Sequence, residues 1–150
     1  MKGVMFTAKG ITEIIEEPEP VCADDQVLLK MLFSGISNGT ERSFLVGGPY
    51  GGQKWPNRIA YLNVAEVVET GKDITQYELG DVVYTATYPG HVAYYTAKES
   101  DLMIKVPSGL DHAVATMLGI AGVSYFNAKR VAVCEEDHVL ITGSGGIGLM

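Results

Sequence analysis

The chain has 150 residues, of which 47% are hydrophobic and 19% charged, and it contains only two cysteines. This composition excludes intrinsic disorder and a disulfide-stapled scaffold, because apolar residues are plentiful and thiols are few. With 18 acidic against 11 basic residues the formal net charge is −7. That balance argues against a nucleic-acid partner, which favours basic surfaces.

Neither the N-terminal residues nor the longest uncharged stretch suggests a membrane protein. The first residues lack a signal-peptide pattern, and Cys22 and Cys134 read as reduced thiols. The stretch 112–128 carries no formal charge, but it is short for a membrane span and contains several polar residues. We expect it to form a buried core helix, and we expect a cytoplasmic protein with no membrane partner.

Residues 4–106 alternate short apolar runs with turn residues, as at Leu79-Gly80-Asp81. Strands of this length and spacing are typical of an all-β barrel or sandwich. The runs that predict strands are 4–7, 12–15, 26–33, 59–70, 82–86, 91–96 and 102–106.

The pattern becomes helical after Pro107-Ser108-Gly109-Leu110. Asp111 is the predicted N-cap, apolar residues then recur every three or four positions, and Lys129-Arg130 suits the helix C-terminus. A strand is predicted over 137–142, and it runs directly into a glycine-rich turn.

The turn contains G-x-G-x-x-G at Gly143, Gly145 and Gly148. Behind a strand this pattern is the fingerprint of a dinucleotide site, although alone it also fits a flexible glycine turn. The earlier segment 47–54 resembles a P-loop, but Gln53 stands where the lysine is needed, so we expect a mobile surface loop. Among the histidines, only His91 is a candidate for a cleft.

The order of these features resembles the medium-chain dehydrogenase/reductases, the superfamily of zinc alcohol dehydrogenases and quinone reductases. The resemblance extends over essentially all of the chain. Phe33 to Glu41 resembles the branch that contains bacteriochlorophyllide hydroxyethyl dehydrogenase and relatives that lack zinc. The motifs that carry the superfamily resemblance are Leu79-Gly80-Asp81-Val82-Val83, Lys105-Val106-Pro107, Ala121-Gly122-Val123-Ser124 and the glycine turn.

The resemblance implies a mainly β chain with helices. Residues 1–110 would form a GroES-like β-barrel that serves as the substrate and catalytic domain. Residues 111–150 would form the truncated start of a Rossmann domain, with a linking helix, its first strand and the glycine turn.

The zinc branch of the superfamily has a Cys after Gly-Ile and a Gly-His-Glu before the Val-rich strand. The matching positions here are Ser37 and Tyr61, and the four-cysteine structural zinc lobe is missing. A hydroxyl and a phenol are not ordinary Zn²⁺ ligands, so we predict no metal site.

The resemblance implies that Thr40, Glu41 and Tyr61 are catalytic. Thr40 lies near the family's Ser/Thr that contacts the substrate oxygen, offset by one inserted residue. Tyr61 would hydrogen-bond a developing alkoxide, and the alternative is a strand tyrosine packed in the barrel. Glu41 has the alternative role of capping the short helix that follows.

Five residues are expected to bind the cofactor, which is NAD or NADP. Ser124 matches a family threonine whose hydroxyl faces the nicotinamide. The others are the glycines of the turn, Gly143, Gly145, Gly146 and Gly148.

The parent protein is thus predicted to be a zinc-independent NAD(P)-dependent oxidoreductase that acts on a small alcohol or carbonyl. We expect the 150 residues alone to be inactive, because one strand and a glycine turn do not enclose a dinucleotide. An uncovered strand edge predicts homodimerisation or aggregation. Two alternatives stay open: a free-standing GroES-like binding or assembly module, and a quinone or enoyl reductase.

Overall fold

Seven strands and four helices form the chain in the computed structural model, which describes residues 1–150. They group into two units, Met1–Thr116 and Met117–Met150. The strands are β1 (Lys2–Ala8), β2 (Ile11–Glu16), β3 (Gln26–Gly35), β4 (Leu62–Thr70), β5 (Val82–Thr85), β6 (Tyr94–Lys98) and β7 (Met103–Lys105). The helices are α1 (Asn38–Val46), α2 (His112–Ala115), α3 (Leu118–Val131) and α4 (Gly146–Leu149). None of the helices has the length and apolar character that crossing a membrane requires.

The first unit is built from two antiparallel sheets. β1 and β2 form a hairpin, and the other five strands form a sheet in the order β6-β3-β4-β5-β7. Backbone bridges from Gly3 to Val92 and from Phe6 to Asn57 connect the hairpin to segments of the larger sheet's loops. The prediction of a mainly β fold is confirmed.

The five-stranded sheet curls so that strands distant in its order meet inside. β5 and β6 are three places apart, yet Thr85 Oγ1 lies 2.8 Å from the Tyr95 hydroxyl oxygen, and both side chains are buried. This interior is filled by alternate residues of the strands, as a period of two dictates. Its core consists of Val27, Leu29, Ala65, Val67, Val83, Val92, Tyr95, Ala97 and Met103.

All seven strands predicted between residues 4 and 106 are present, with shifted bounds. β4 begins at Leu62 rather than at residue 59, since the preceding residues have no ladder partner. β6 covers Tyr94–Lys98, later than the predicted 91–96, because its ladder with β3 starts at Tyr94.

The predicted buried core helix is wrong in two respects. First, the helix is interrupted near Thr116 and Met117, which divides it into α2 and α3. Asp111 is the N-cap, as predicted, and its side chain accepts a hydrogen bond from the Val114 N–H. Second, the helix is largely exposed: Val123 is 47% and Phe126 60% accessible. Apolar periodicity predicts which face of a helix packs against another segment, but the face is buried only where such a segment covers it.

The predicted strand over 137–142 is absent. These residues pair with no other strand, and Leu140 is 87% exposed. A strand in a sheet is defined by the ladder it shares with a neighbour, and the Met117–Met150 unit contains no other strand.

The glycine-rich segment 47–54 is tied to α1. Ser43 Oγ accepts from the Tyr50 and Gly51 N–H groups, at 2.9 and 3.1 Å. A Cβ on Gly51 would lie 2.3 Å from Phe44 Cα, so this approach requires glycine. Four of its N–H groups, those of Gly47, Gly48, Tyr50 and Gly51, are hydrogen-bonded to Ser43 and so do not point at a phosphate.

Candidate active site

Three hydroxyl groups meet where α1 begins beside the start of β4. The Tyr61 hydroxyl donates to Ser37 Oγ at 2.8 Å, and Ser37 Oγ donates to Thr40 Oγ1 at 3.2 Å. Thr40 Oγ1 and the Tyr61 oxygen are 3.4 Å apart, and all three side chains are half-buried. We call Ser37, Thr40 and Tyr61 the hydroxyl cluster.

The donors of the hydroxyl cluster leave one proton uncommitted. Each hydroxyl has a single proton. Those of Tyr61 and Ser37 are used in sequence, which leaves the Thr40 proton with only the long approach to Tyr61. The cluster therefore has a hydrogen-bond donor available to an oxygen atom that enters from the solvent side.

The geometry at the start of α1 explains why the Ser37 side chain is free to join the hydroxyl cluster. Ser37 is the N-cap of α1, yet its side chain makes no capping hydrogen bond. Glu41 reaches back instead, and its Oε1 accepts from the Ser37 N–H at 2.8 Å. This resembles the backward hydrogen bond of a capping box, although Glu41 lies four residues after the N-cap rather than three, so the capping role considered for Glu41 is observed.

Glu41 is also the most buried charged residue of this region, at 7% exposure. Its second oxygen, Oε2, lies 3.5 Å from Nε2 of His91. A buried carboxylate requires such partners, because an isolated charge loses its hydration.

His91 is held from the other side by β3 and β4. Its Nδ1 lies 2.7 Å from Ser34 Oγ, and Ser34 Oγ donates to Asn63 Oδ1 at 3.1 Å. Asn63 is fully buried and donates to the carbonyl oxygens of Ala60 and Thr87. Ser34 and Asn63 are direct partners in the β3–β4 ladder.

Two further tyrosines surround Tyr61. The Tyr84 hydroxyl donates to the Tyr61 carbonyl at 3.3 Å, and the Tyr88 ring centroid lies 6.0 Å from that of Tyr61. Burial raises the pKa of Tyr84, and the neighbouring phenols of Tyr61 and Tyr88 raise it further. Tyr84 is therefore a neutral donor that fixes the backbone of Tyr61.

The donor atoms at this site do not suit a zinc ion. Ser37 and Tyr61 are hydrogen-bonded to each other, and no group of three or more His, Cys, Asp or Glu side chains is placed to hold a metal. The Cys22 thiol lies elsewhere and donates to the Gln26 carbonyl. Thiolates and imidazoles, the usual zinc ligands, are thus not brought together.

The glycine turn belongs to the second unit. Gly143 has a φ of +93°, and a Cβ on Gly148 would lie 2.1 Å from the Gly143 carbonyl oxygen. The turn borders an open cleft of about 700 Å³ that Ser124 also lines. Ser124 Oγ contacts the Ile147 carbonyl at 2.9 Å, so its hydroxyl links α3 to α4.

Comparison with models of known protein families finds no match. Among curated proteins, a sorbitol dehydrogenase of Halalkalibacterium halodurans is 22% identical, with 100% of this chain and 52% of the relative aligned. An L-threonine 3-dehydrogenase of Streptomyces coelicolor is 28% identical over 91% of this chain and 48% of its own length. The chain spans about half the length of the curated relatives it matches.

Solved structures give the same fold. Galactitol-1-phosphate dehydrogenase from Escherichia coli superposes with a TM-score of 0.84 at 19% identity, covering 99% of this chain and 50% of that one. This chain therefore has the fold of the first half of these medium-chain, zinc-type alcohol dehydrogenase-like proteins and is similar to them in sequence. Another structure of this fold, the Helicobacter pylori CAD complexed with NADP(H), has a TM-score of 0.82 at 18% identity over 99% of this chain and 54% of its own.

Within this medium-chain dehydrogenase/reductase fold, the structure brings Thr40, Glu41 and Tyr61 together and adds Ser37. The catalytic roles themselves stay predictions, as do the cofactor contacts of Ser124 and the glycines. Sequence reasoning missed Ser34 and Asn63. The available signal was Asn63, which is the one polar residue between Ile59 and Ala65 apart from Tyr61.

Proposed function

We propose that the parent protein is a zinc-independent, NAD(P)-dependent oxidoreductase that reduces a small carbonyl compound or oxidises the corresponding alcohol. The observation that carries this proposal is the hydroxyl cluster. Its hydrogen bonds join the two positions, Ser37 and Tyr61, that match Cys and His ligands in the zinc branch. The proposal is supported by relatives named as alcohol and polyol dehydrogenases.

In such a reaction the role of the hydroxyl cluster is to hydrogen-bond the carbonyl oxygen of the substrate. A carbonyl oxygen within reach of Thr40 Oγ1 receives its uncommitted proton as a hydrogen bond. As negative charge develops on that oxygen, this hydrogen bond strengthens, and the donors behind it already point the same way, because Tyr61 donates to Ser37 and Ser37 donates to Thr40. Preorganised donors aimed at a developing oxyanion favour the transition state over the ground state.

The ligand chemistry of the cluster supports the proposed zinc independence. A carbonyl needs polarisation, which Zn²⁺ supplies as a Lewis acid in a zinc site. Neutral hydroxyls joined to one another provide hydrogen bonds instead, and the nearest carboxylate, Glu41, already accepts from Ser37 N–H and faces His91.

The glycine turn is the part of this chain that would hold NAD or NADP. Gly143 and Gly148 form a turn that a side chain at Gly148 would block, as the first and third glycines of a dinucleotide fingerprint require. Gly145 and Gly146 begin α4. The dinucleotide, when bound, supplies or accepts the hydride.

Kinetics of the full-length protein test this proposal. We expect NADH or NADPH oxidation with simple aldehydes or ketones, with kcat reduced by roughly 10²-fold in Thr40→Val and less in Tyr61→Phe. Tyr50→Phe is the matched control, because Tyr50 is 74% exposed and lies outside the cluster.

Three outcomes would contradict parts of the proposal. Turnover only with α,β-unsaturated carbonyls would replace it with enoyl or quinone reduction. Absence of coenzyme oxidation with every carbonyl would favour a binding module. Stoichiometric zinc that is lost in Tyr61→Phe would refute zinc independence.

A further inference from the structure

A pair of aromatic rings lies beside the hydroxyl cluster. The ring centroids of Tyr61 and Tyr88 are 6.0 Å apart, and the two ring planes are inclined by 41°. This separation lies within the range of about 4.5–7 Å that packed aromatic rings prefer. Tyr61 is half-buried, whereas Tyr88 is 69% exposed, so the pair leaves most of the Tyr88 ring open to a further group.

One buried amide holds the backbone at both tyrosines. Asn63 is fully buried, and its Nδ2 donates to the carbonyl oxygens of Ala60 and Thr87, at 3.4 and 3.3 Å. Ala60 is the residue before Tyr61. Thr87 is the residue before Tyr88, so a single side chain connects the two segments that carry the rings. Loss of either bond would leave a buried polar group without a partner, which stabilises this arrangement.

Tyr61 is held at two further points. The buried Tyr84 hydroxyl donates to its carbonyl oxygen at 3.3 Å, and its own hydroxyl donates to Ser37 Oγ at 2.8 Å. Because both the backbone and the far end of the side chain are hydrogen-bonded, the Tyr61 ring is restrained. The aromatic pair is therefore a built part of the site.

The uncommitted proton of Thr40 lies next to this pair. Thr40 Oγ1 is 3.4 Å from the Tyr61 hydroxyl oxygen, which is bonded directly to the Tyr61 ring. A carbonyl oxygen that accepts from Thr40 is therefore placed beside the ring. The substituent on the carbonyl carbon can then extend along Tyr61 towards the open ring of Tyr88.

The site supplies one donor and an apolar surface rather than several polar partners. The hydroxyls of Tyr61, Ser37 and Tyr84 all donate within the site. Each further hydroxyl of a polyol would leave water without gaining a partner from these three groups, which is unfavourable. A flat aromatic substituent loses no hydrogen bond and gains ring contacts.

The charges of this region favour a neutral substituent. The buried carboxylate of Glu41 would repel an anionic one. Arg58 packs beside Gly90, in the loop 86–93 that also contains Tyr88, but its guanidinium is bound to Glu17, with Nη1 2.6 Å from Oε1. This cation is therefore already paired and is not available to a phosphate or carboxylate.

We propose that the substrate of this site is a carbonyl compound, or the corresponding alcohol, that carries an aromatic ring. The ring packs on Tyr61 and Tyr88 while the oxygen accepts from Thr40, which makes Tyr88 a specificity-determining residue. The reaction rests on the proposed function, whereas the binding of an aromatic ring does not.

Kinetics of the full-length protein test the preference. Benzaldehyde and cyclohexanecarbaldehyde carry rings of similar size, of which only the first is aromatic. We expect the ratio of their kcat/KM values to fall about fivefold in Tyr88→Leu, which is the size of one aromatic contact. Comparing this ratio between variants cancels the different intrinsic reactivity of the two aldehydes.

Two variants control this comparison. Tyr88→Phe keeps the ring and should keep the wild-type ratio, and so should Tyr50→Leu, because Tyr50 is an exposed tyrosine outside the cluster. An unchanged ratio in Tyr88→Leu, or an equal fall in Tyr88→Phe, would refute the role of the Tyr88 ring.

Benzamide tests binding without turnover, because its carbonyl oxygen accepts a hydrogen bond but is not reduced. We expect titration of the 150-residue chain to shift the NMR signals of the Tyr61 and Tyr88 rings. The Kd should be about fivefold lower than for cyclohexanecarboxamide, and Tyr88→Leu should remove the difference. Equal affinities of the wild-type chain for the two amides, or no shift at either tyrosine, would overturn the inference.

The two tests separate this inference from the proposed function. Selective benzamide binding in a protein without any coenzyme oxidation would refute the proposed function and leave the aromatic site standing. An active oxidoreductase in which Tyr88→Leu alters neither ratio would refute only the inference.

Discussion

The hydrogen bond between Thr85 and Tyr95 offers a quantitative test of how the sheet is closed. It joins β5 to β6, which are not neighbours in the sheet, and it lies in the interior with Thr85 fully buried and Tyr95 5% exposed. Thr85→Val keeps the shape of the side chain and removes the hydroxyl. Tyr95→Phe removes the other partner.

The two substitutions differ in whether the remaining hydroxyl keeps a hydrogen-bond partner. After Thr85→Val the buried Tyr95 hydroxyl has no partner, which costs about 1–3 kcal/mol. After Tyr95→Phe, Thr85 Oγ1 still has Thr87 Oγ1 at 3.2 Å, so the loss is about 0.5–1.5 kcal/mol. The double variant leaves no tyrosine hydroxyl unsatisfied, so its cost is smaller than the sum by roughly 0.5–2 kcal/mol.

Urea unfolding followed by far-UV circular dichroism gives the free energy of unfolding of the wild type, the two single variants and the double variant. Thr12→Val on the exposed strand β2 is the control, with a change within about 0.5 kcal/mol. Additive costs in the double variant would show that the two hydroxyls do not meet. The proposed closure of the sheet between β5 and β6 would then be wrong.

Two further predictions concern stability. The hydrogen-bonded Arg58 guanidinium lowers the pKa of Glu17 from 4.5, so the pair stabilises the fold above about that pH and ceases to do so as the carboxyl is protonated. Between about pH 6 and pH 3 the free energy of unfolding should therefore fall more in the wild type than in Glu17→Gln, and equal slopes would contradict this. Gly51→Ala should lower the melting temperature, because the new Cβ would meet the Phe44 backbone at 2.3 Å. Gly39→Ala is the control, since its Cβ has open space, and an equal loss in both would refute the steric argument.

The positions of the strands could be predicted because their signal is local. Alternating apolar residues bounded by turn residues indicate a half-buried strand, as at the start of β3, and short apolar runs bounded by turn residues indicate a buried strand, as in β5. The N-cap at Asp111 was predictable for the same reason, since its hydrogen bond spans three residues.

The same local signals failed where a partner segment decides the outcome. Residues 137–142 have the β-branched content of a strand, but no other strand in their unit completes a ladder. The apolar face of α3 is periodic, yet Val123 and Phe126 stay exposed. Propensity states what a segment is able to form, and its neighbours determine what it does form.

The sequence by itself determined the strand-rich first unit, the helical character of the segment that follows it and the glycine turn, and its family resemblance pointed to Thr40, Glu41 and Tyr61 as candidates. Only the tertiary structure joined Ser37 to Tyr61 across 24 residues and Ser34 to His91 across 57. These contacts depend on how the sheet curls and where α1 leaves it. Because hydrogen bonds act over about 3 Å while their partners lie far apart in the chain, their pairing is set by the fold.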